Sequence, residues 1–245
     1  NVLDNFGGRT SMNGNLKAMA RNLSDVSGSR GKGKLSGIGM TMEYFGNNPV
    51  VEEYVMDQVW TGQPADPGRW MEDYVVRRYG SSDQHAQKAW QYMLATVYNT
   101  HSQTGTFLCE RPGFFDPKAS YRSSPVPRYS QDTLIMALDE LLACPDRYHK
   151  LETYSFDLVN LTRQALSPLA LKWIRETEKA YHGHDPAAIR KYRDLFCGLI
   201  TDMDDLLSTR REYLLGLWTE NAKSWASTPE ESALLEWNAR NLVTL

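Results

Sequence analysis

The chain has 245 residues, of which 41% are hydrophobic and 23% are charged, as in ordinary globular proteins and unlike disordered or coiled-coil chains. Its formal net charge of −3 and isoelectric point near 6.0 give no general attraction to nucleic acids or anionic membranes, so we predict neither as a partner. No stretch approaches the ~18 consecutive apolar residues of a membrane span, and composition indicates no particular oligomeric state.

The N-terminal part of the chain is rich in glycine, with short apolar pieces separated by loops, as in alternating strands and helices. Residues 15–23 are predicted to form a short helix. Residues 35–42 have the length and apolar character of a strand buried on both faces. Such units need the rest of a sheet in order to fold, and we do not find its remaining strands in this sequence. We therefore expect only a short α/β part.

The apolar run over residues 37–42 stops on a carboxylate, Glu43. A glutamate after a strand is most often a surface residue or a helix-start carboxylate. However, barrel enzymes place their catalytic groups at the mouths of buried strands. No later part of the chain offers a comparable group of residues, so Glu43 is the first candidate for chemistry.

Residues 28–34 nearly match a phosphate-binding loop, in which glycine, four residues and Gly-Lys are followed by serine or threonine. Leu35 occupies the hydroxyl position, no strand precedes the loop, and a strand rather than a helix is predicted after it. The sequence therefore favours a solvated loop over a nucleotide site, with Lys32 and Lys34 at most contacting an acidic substrate.

From residue 48 onward the pattern is helical, and a capping residue followed by proline marks four helix starts. The pairs are Asn48-Pro49, Asp66-Pro67, Asp185-Pro186 and Thr228-Pro229, the last with Glu231 in a capping box. Apolar periodicity predicts helices over residues 49–60, 67–79, 83–99, 130–143, 152–182, 186–208, 214–225 and 229–242. Val51, Val55 and Val59 are expected to form one buried stripe, and Pro168 to kink or break the longest helix.

Residues 99–130 form a long predicted loop dense in glycine, proline and aromatic side chains. Loops of this length inside compact domains are uncommon and often functional. Residues 107–129 are therefore a candidate rim of a binding cleft.

Other residue types that carry chemistry are sparse. His182 and His184 could suggest a metal pair, but Gly183 between them and the Asp185-Pro186 that follows indicate a turn between helices. The three cysteines are too few and too far apart for a zinc site or a disulfide framework: Cys109, Cys144 and Cys197. We predict free thiols, mostly buried, although one disulfide plus one thiol also fits the count. No metal and no cofactor is predicted.

Several short motifs follow one another in the order and approximate spacing of one enzyme family. They are Asn5-Phe6-Gly7-Gly8, Gly37-Ile38-Gly39-Met40-Thr41-Met42-Glu43, Trp60, Arg77-Arg78-Tyr79-Gly80, Val97-Tyr98-Asn99, Arg111-Pro112, Asp157-Leu158-Val159-Asn160-Leu161-Thr162-Arg163-Gln164-Ala165 and Trp237-Asn238-Ala239-Arg240. In this arrangement the chain resembles the α-N-acetylglucosaminidases of glycoside hydrolase family 89 over nearly its whole length. Each motif alone is weak, whereas their collinear order is specific.

The resemblance implies a mainly α fold with a short α/β N-terminal part. Residues 1–62 would be the last strands of a (β/α)8-type catalytic barrel, and residues 63–245 an all-α helical domain, truncated at its end. The implied activity removes terminal α-linked N-acetylglucosamine from glycans with retention of configuration. Glu43 would be the nucleophile. The family's acid/base glutamate has no counterpart here, so the chain alone is expected to be inactive.

The same resemblance places Leu3, Asn5 and Phe6 beside the sugar, the first and last as apolar walls and Asn5 as a hydrogen-bonding group. Barrel core is an equally good interpretation of Leu3 and Phe6, and Asn5 could instead serve turn geometry before two glycines. A different class of function also stays open: a non-catalytic helical module that binds glycans or a protein, in which Glu43 is incidental.

Asp4 and the loop over residues 24–34 depart from the pattern of animal members, which favours a bacterial relative. The expected location is therefore secreted or periplasmic, with a lysosomal or vacuolar location as the alternative for a eukaryotic protein. Residues 1–5 lack a signal pattern. Because the chain does not begin with Met, a targeting signal upstream is compatible with the sequence.

Overall fold

A computed structural model describes residues 2–4, 11–42, 48–61, 65–100 and 127–243. Its strands are β1 (Val2–Asp4) and β2 (Met40–Met42), and its helices are α1 (Leu16–Gly28), α2 (Pro49–Thr61), α3 (Pro67–Tyr79), α4 (Gln84–Ala95), α5 (Gln131–Leu142), α6 (Glu152–His182), α7 (Pro186–Ser208), α8 (Leu215–Lys223) and α9 (Pro229–Val243). The fold is mainly α with a short α/β part at the N-terminal end, as predicted. No helix in these ranges combines the length and apolarity needed to cross a membrane.

The α/β part consists of two adjacent parallel strands connected through α1. Strand β1 pairs with β2 in the register Val2↔Met40, Leu3↔Thr41 and Asp4↔Met42. Helix α1 begins after Asn15, whose side-chain oxygen accepts a hydrogen bond from the Ala18 N–H at 2.8 Å. Parallel strands need such a crossover, and a helical crossover is the usual building unit of α/β folds.

Strand β2 is shorter and more exposed than the strand predicted over residues 35–42. Only Met40–Met42 is strand, Leu35 is 50% exposed, and Thr41 is also exposed. Strand structure requires a hydrogen-bonding neighbour, and within the described ranges the neighbour of β2 is the three-residue β1. The strand predicted over residues 35–42 is therefore too long.

All four predicted helix starts are confirmed at their prolines. Asp66 accepts one backbone N–H of α3 through its side chain, and Asp185 accepts two of α7. The capping box of α9 differs from the expected pattern in one bond. The Thr228 hydroxyl accepts the Glu231 N–H at 3.1 Å, but the Glu231 carboxylate accepts the N–H of Ser227, one residue before the cap.

Among the described residues, those up to Arg175 form one compact unit, whose core is strongly aromatic. Rings of Tyr54, Trp70, Tyr74 and Trp90 follow one another with centroid separations of 5.0, 5.0 and 5.1 Å. Alternating edge-to-face and stacked contacts of this kind suit the charge distribution of aromatic rings. The aromatic residues of this region therefore serve packing.

The buried face of α2 differs from the predicted valine stripe. Val51 and Val55 are fully buried, but Val59 is 43% exposed and Gln58 is buried instead. Because an α-helix has about 3.6 residues per turn, a four-residue spacing drifts by roughly 40° at each step. By its third member the stripe has left the core.

Helix α6 is continuous from Glu152 to His182, with Pro168 inside it. A break at Pro168, one of the two outcomes expected there, does not occur. Around the proline the helix is buried on several sides, with Leu161, Ala165 and Ala170 at most 4% exposed. Tertiary packing of this extent offsets the backbone hydrogen bond that proline removes.

Residues from Glu176 onward form a second compact unit, in which α8 packs against α9. The Trp218 indole N–H of α8 donates to the Ala239 carbonyl of α9 at 2.9 Å. This division of the chain lies far from the domain boundary predicted after residue 62, which stays a prediction.

Candidate active site

The predicted site residues lie, along the sequence, at or just after the carboxyl ends of β1 and β2. Asp4 and Met42, the last residues of the two strands, are partners in the sheet register. Because parallel strands end at the same edge of a sheet, the segments that follow them start from neighbouring points. Leu3 lies in β1, opposite Thr41. The other predicted site residues lie outside the described part of the chain: Asn5, Phe6 and Glu43.

The described residues that follow these two segments are also paired with each other. Asn48 comes directly after residues 43–47, and Ser11 comes directly after residues 5–10. The Asn48 side-chain oxygen accepts the Asn13 N–H at 3.0 Å, and its amide donates to the Ser11 carbonyl at 3.4 Å. All three residues are buried. The two segments are thus flanked at both ends by residues that contact one another.

A third segment, residues 97–100, is hydrogen-bonded through its backbone to Gly14, close in sequence to Ser11 and Asn13. The Gly14 N–H donates to the Val97 carbonyl at 3.0 Å, and the Thr100 N–H donates to the Gly14 carbonyl at 3.0 Å. Thr100 is the last described residue before residues 101–126, which contain most of the predicted cleft rim over residues 107–129. The rim prediction therefore lies largely outside the described residues.

Helix α6 contributes a buried glutamine to this junction. Gln164 is 4% exposed, accepts the Met12 N–H at 2.9 Å and donates to the Tyr129 hydroxyl at 2.7 Å. Tyr129 is half-buried, and burial raises the pKa of its phenol. One amide side chain therefore joins the backbone after residues 5–10 to a side chain just after residues 101–126.

Sequence reasoning did not single out Gln164. The available signal was a set of polar residues on the buried part of α6: Asn160, Arg163, Gln164 and Ser167, each at most 4% exposed. Buried polar groups need hydrogen-bond partners, so such a set on a core helix indicates a structured polar junction. Its partners could not be predicted, because Met12 lies more than 150 residues away in the chain.

A buried ion pair fastens α3 to α6 in the same unit. The Arg78 guanidinium forms two hydrogen bonds with the Asp157 carboxylate, one of them 2.7 Å long, and the Tyr79 hydroxyl donates to the same carboxylate at 2.8 Å. The Trp90 indole N–H in turn donates to the Tyr79 hydroxyl at 2.9 Å. Burial raises the pKa of Asp157, and the Arg78 charge opposes this by favouring the carboxylate. The cluster's groups satisfy one another, which indicates a structural role.

Two sequence features considered as candidate sites, the glycine-rich loop and the histidine pair, lie in described segments. Gly28 is the last residue of α1, and the 3-10 turn Arg30–Lys32 follows it, so the glycine-rich loop lacks the preceding strand of a phosphate-binding loop. His182 ends α6 and His184 lies in the turn before α7, as expected. Across the described ranges, no group of three or more His, Cys, Asp or Glu side chains is placed to hold a metal ion.

The two described cysteines are both thiols. Cys144 is buried and Cys197 is exposed on α7, so the prediction of mostly buried thiols is met at Cys144 and not at Cys197. The face of α7 that carries Cys197 buries no side chain, since the buried residues of this helix are Leu199 and Met203. Cys109 lies outside the described residues.

Two family models together match almost the whole chain. Residues 70–245 match the model described as "Alpha-N-acetylglucosaminidase (NAGLU) C-terminal domain", and residues 1–62 match the "Alpha-N-acetylglucosaminidase (NAGLU) tim-barrel domain". The chain belongs to the α-N-acetylglucosaminidase family. The resemblance found in the sequence is thereby confirmed. Strands β1 and β2 and helices α1 and α2 lie within the residues that match the barrel model, and helices α4 to α9 lie within those that match the C-terminal model.

Relatives of known identity agree with this membership. Human α-N-acetylglucosaminidase is 27% identical over 252 residues, which cover 100% of this chain and 33% of the human protein. Structures of a family 89 glycoside hydrolase from Clostridium perfringens match with 28% identity and TM-scores of 0.89 and 0.90, covering 99% of this chain and 28% of theirs. One holds a variant with two Glu-to-Gln substitutions and its substrate GlcNAc-α-1,4-galactose, and another holds PUGNAc. The chain thus spans about a third of these relatives' length.

Proposed function

We propose that this chain supplies the nucleophile and part of the sugar pocket of an exo-acting retaining glycoside hydrolase that removes terminal α-linked N-acetylglucosamine from glycans. The observation that carries the proposal is the pairing of Asp4 with Met42 in a chain of this family. It brings two barrel strands to one edge, and barrel enzymes hold their catalytic residues just beyond such strand ends. The bacterial relative's complex with GlcNAc-α-1,4-galactose supports the substrate class.

Glu43, which follows Met42 directly in the sequence, is the proposed nucleophile. In a retaining glycosidase, two carboxyl groups lie about 5 Å apart on either side of the scissile bond. The Glu43 carboxylate would form a bond to the anomeric carbon as the glycosidic C–O bond breaks, while the leaving oxygen takes a proton from the second group. Water, deprotonated by that second group, would then attack the anomeric carbon and release Glu43.

The proton donor is proposed to lie outside these 245 residues, because no carboxyl group here matches the family's acid/base position. Such an acid must hold its proton at working pH, which requires surroundings that raise its pKa. Without it the leaving oxygen would depart unprotonated, at a large cost in rate. The isolated chain is therefore proposed to be inactive, and the mechanism uses no cofactor.

Leu3, Asn5 and Phe6 are proposed to contact the sugar. Leu3 is the penultimate residue of β1, and Asn5 and Phe6 follow that strand in the sequence. Apolar side chains suit the faces of a pyranose ring, whereas an amide can hydrogen-bond a hydroxyl or the acetamido group. We also propose a secreted or periplasmic location, where glycans with terminal N-acetylglucosamine are accessible.

The test is Glu43→Gln in the full-length gene product that contains this chain. We expect the variant to lose turnover of an aryl α-N-acetylglucosaminide, because an amide is a poor nucleophile toward the anomeric carbon. The first-formed sugar of the unaltered protein, observed by NMR, should be the α-anomer. Glu72→Gln, an exposed position on α3, serves as the matched control and should keep full activity.

Wild-type rates in the Glu43→Gln protein would contradict the assignment. Hydrolysis by the 245-residue chain alone would contradict the proposal that the proton donor lies elsewhere. Binding of α-N-acetylglucosaminyl glycans by the full-length product without any hydrolysis would favour the non-catalytic binding module.

A further inference from the structure

We infer that Gln164 is a positioning residue for the candidate active site, acting through the backbone of Met12. The inference rests on the proposed function, since it concerns the segments that carry the proposed site residues. The Gln164 side chain accepts a hydrogen bond from the Met12 N–H at 2.9 Å and donates one to the Tyr129 hydroxyl at 2.7 Å.

The position of Met12 affects both segments that leave the strand ends. Its neighbours Ser11 and Asn13 both hydrogen-bond to the Asn48 side chain. Ser11 directly follows residues 5–10, and Asn48 directly follows residues 43–47. A displacement of Met12 would therefore move the points at which both segments rejoin the described structure.

Helix α6 is a firm support for such a contact. Gln164 lies between Arg163 and Ala165, and all three are at most 4% exposed. A residue held by core packing on a long helix has little freedom, so its hydrogen bond fixes a backbone position relative to the helical part of this unit. An apolar side chain could fill the same volume, but it could not fix the direction of a backbone N–H.

Two substitutions at Gln164 separate positioning from simple space-filling. Gln164→Met keeps the length of the side chain and removes both hydrogen bonds. Gln164→Glu keeps an oxygen that accepts the Met12 N–H, and the Tyr129 hydroxyl can turn to donate to it. The matched control is Tyr154→Phe, which removes a buried 2.7 Å hydrogen bond from the same helix to the Leu141 carbonyl, away from the junction.

The experiment measures kcat, KM and thermal midpoint for each variant of the full-length product with an aryl α-N-acetylglucosaminide. We expect Gln164→Met to lose about 100-fold in kcat/KM, mainly through kcat, because small misplacements of reacting groups have effects of this size. Gln164→Glu should recover most of that loss. Tyr154→Phe should keep wild-type kinetics despite a lowered midpoint. The inference is overturned if Gln164→Met keeps wild-type kcat, or if Tyr154→Phe loses as much.

A second readout separates this inference from the proposed function. If the unaltered protein does not hydrolyse the substrate, the proposed function fails, and amide hydrogen exchange of residues 11–16 decides the role of Gln164. Faster exchange there in Gln164→Met than in Tyr154→Phe supports the positioning contact. Equal exchange in the two variants rejects it.

Discussion

Asp157 is a carboxylate in the interior whose hydrogen bonds come from two neighbouring residues of α3. Removing a carboxylate from water is costly, and only partners of good geometry offset that cost. Arg78 supplies a bidentate contact and Tyr79 a third hydrogen bond, so the charge is matched where it is buried. The guanidinium is equally dependent on Asp157, since its side chain is only 10% exposed.

Asp157→Leu is expected to lower the free energy of unfolding by about 3–5 kcal/mol, because it leaves the Arg78 charge buried without its partner. The double variant Arg78→Met/Asp157→Leu should be more stable than Asp157→Leu alone, since the second change removes the stranded charge. Urea unfolding followed by circular dichroism measures these two variants and the single variant Arg78→Met. If the effects of the two single variants simply add in the double variant, the pair is not energetically coupled.

Helix packing in the first unit depends on a close backbone approach at Gly14, two residues before α1. A Cβ atom on Gly14 would lie 2.9 Å from the Val51 Cγ2 atom of α2 and 3.4 Å from the Tyr98 ring. Both neighbours are fixed in the core, at 0% and 1% exposure. The same glycine forms the backbone hydrogen bonds to Val97 and Thr100, so it cannot move aside without losing them.

Gly14→Ala is therefore expected to destabilise the protein by about 1–3 kcal/mol, as overpacking of a filled core does. Gly28→Ala is the matched control. A Cβ there would meet nothing within 4 Å, and alanine favours the helix that ends at this residue, so stability should be unchanged or slightly raised. Differential scanning calorimetry of both variants checks the pair. An unchanged thermal midpoint for Gly14→Ala would show that the Val51 side chain moves to make room for the added Cβ.

Elements whose signals are local could be predicted, and those that depend on distant partners could not. Helix starts could be predicted from a capping residue followed by proline, because the capping bonds span only a few residues. The predicted extent of β2 was wrong, because a strand needs a neighbour whose length the local sequence does not reveal. The predicted burial of Val59 was wrong for a different reason. A four-residue spacing drifts around an α-helix, and at this end of α2 the buried side chain is Gln58, whose amide bonds to Ala65 and Tyr54.

The candidate site shows the same division at the scale of the whole molecule. Collinear motifs were enough to predict the family and the role proposed for Glu43, because they are read along the sequence. The junction of Met12, Asn48 and Gln164 joins residues from three distant parts of the chain. No periodicity or spacing encodes such a meeting, so it could be found only from the folded arrangement.

The two compact units differ in how much apolar surface they bury. In the described part of the second unit, the buried apolar side chains are Ala180, Leu199, Met203 and Ala239, whereas α3 to α5 alone bury a continuous aromatic and aliphatic cluster. Large side chains of the second unit are exposed, including Trp225 at 84% and Leu242 at 77%. Local stability follows buried apolar contact.

Amide hydrogens of α7 to α9 are therefore expected to exchange faster than those of α3 to α5 in the 245-residue chain. Hydrogen exchange followed by mass spectrometry measures this directly, and α4 and α5 provide an internal reference of high protection. Partial denaturation by urea should widen the difference, since helices held by few buried contacts open at lower denaturant concentrations. Equal protection in the two units would show that hydrogen bonds within the helices, rather than buried apolar surface, set their stability.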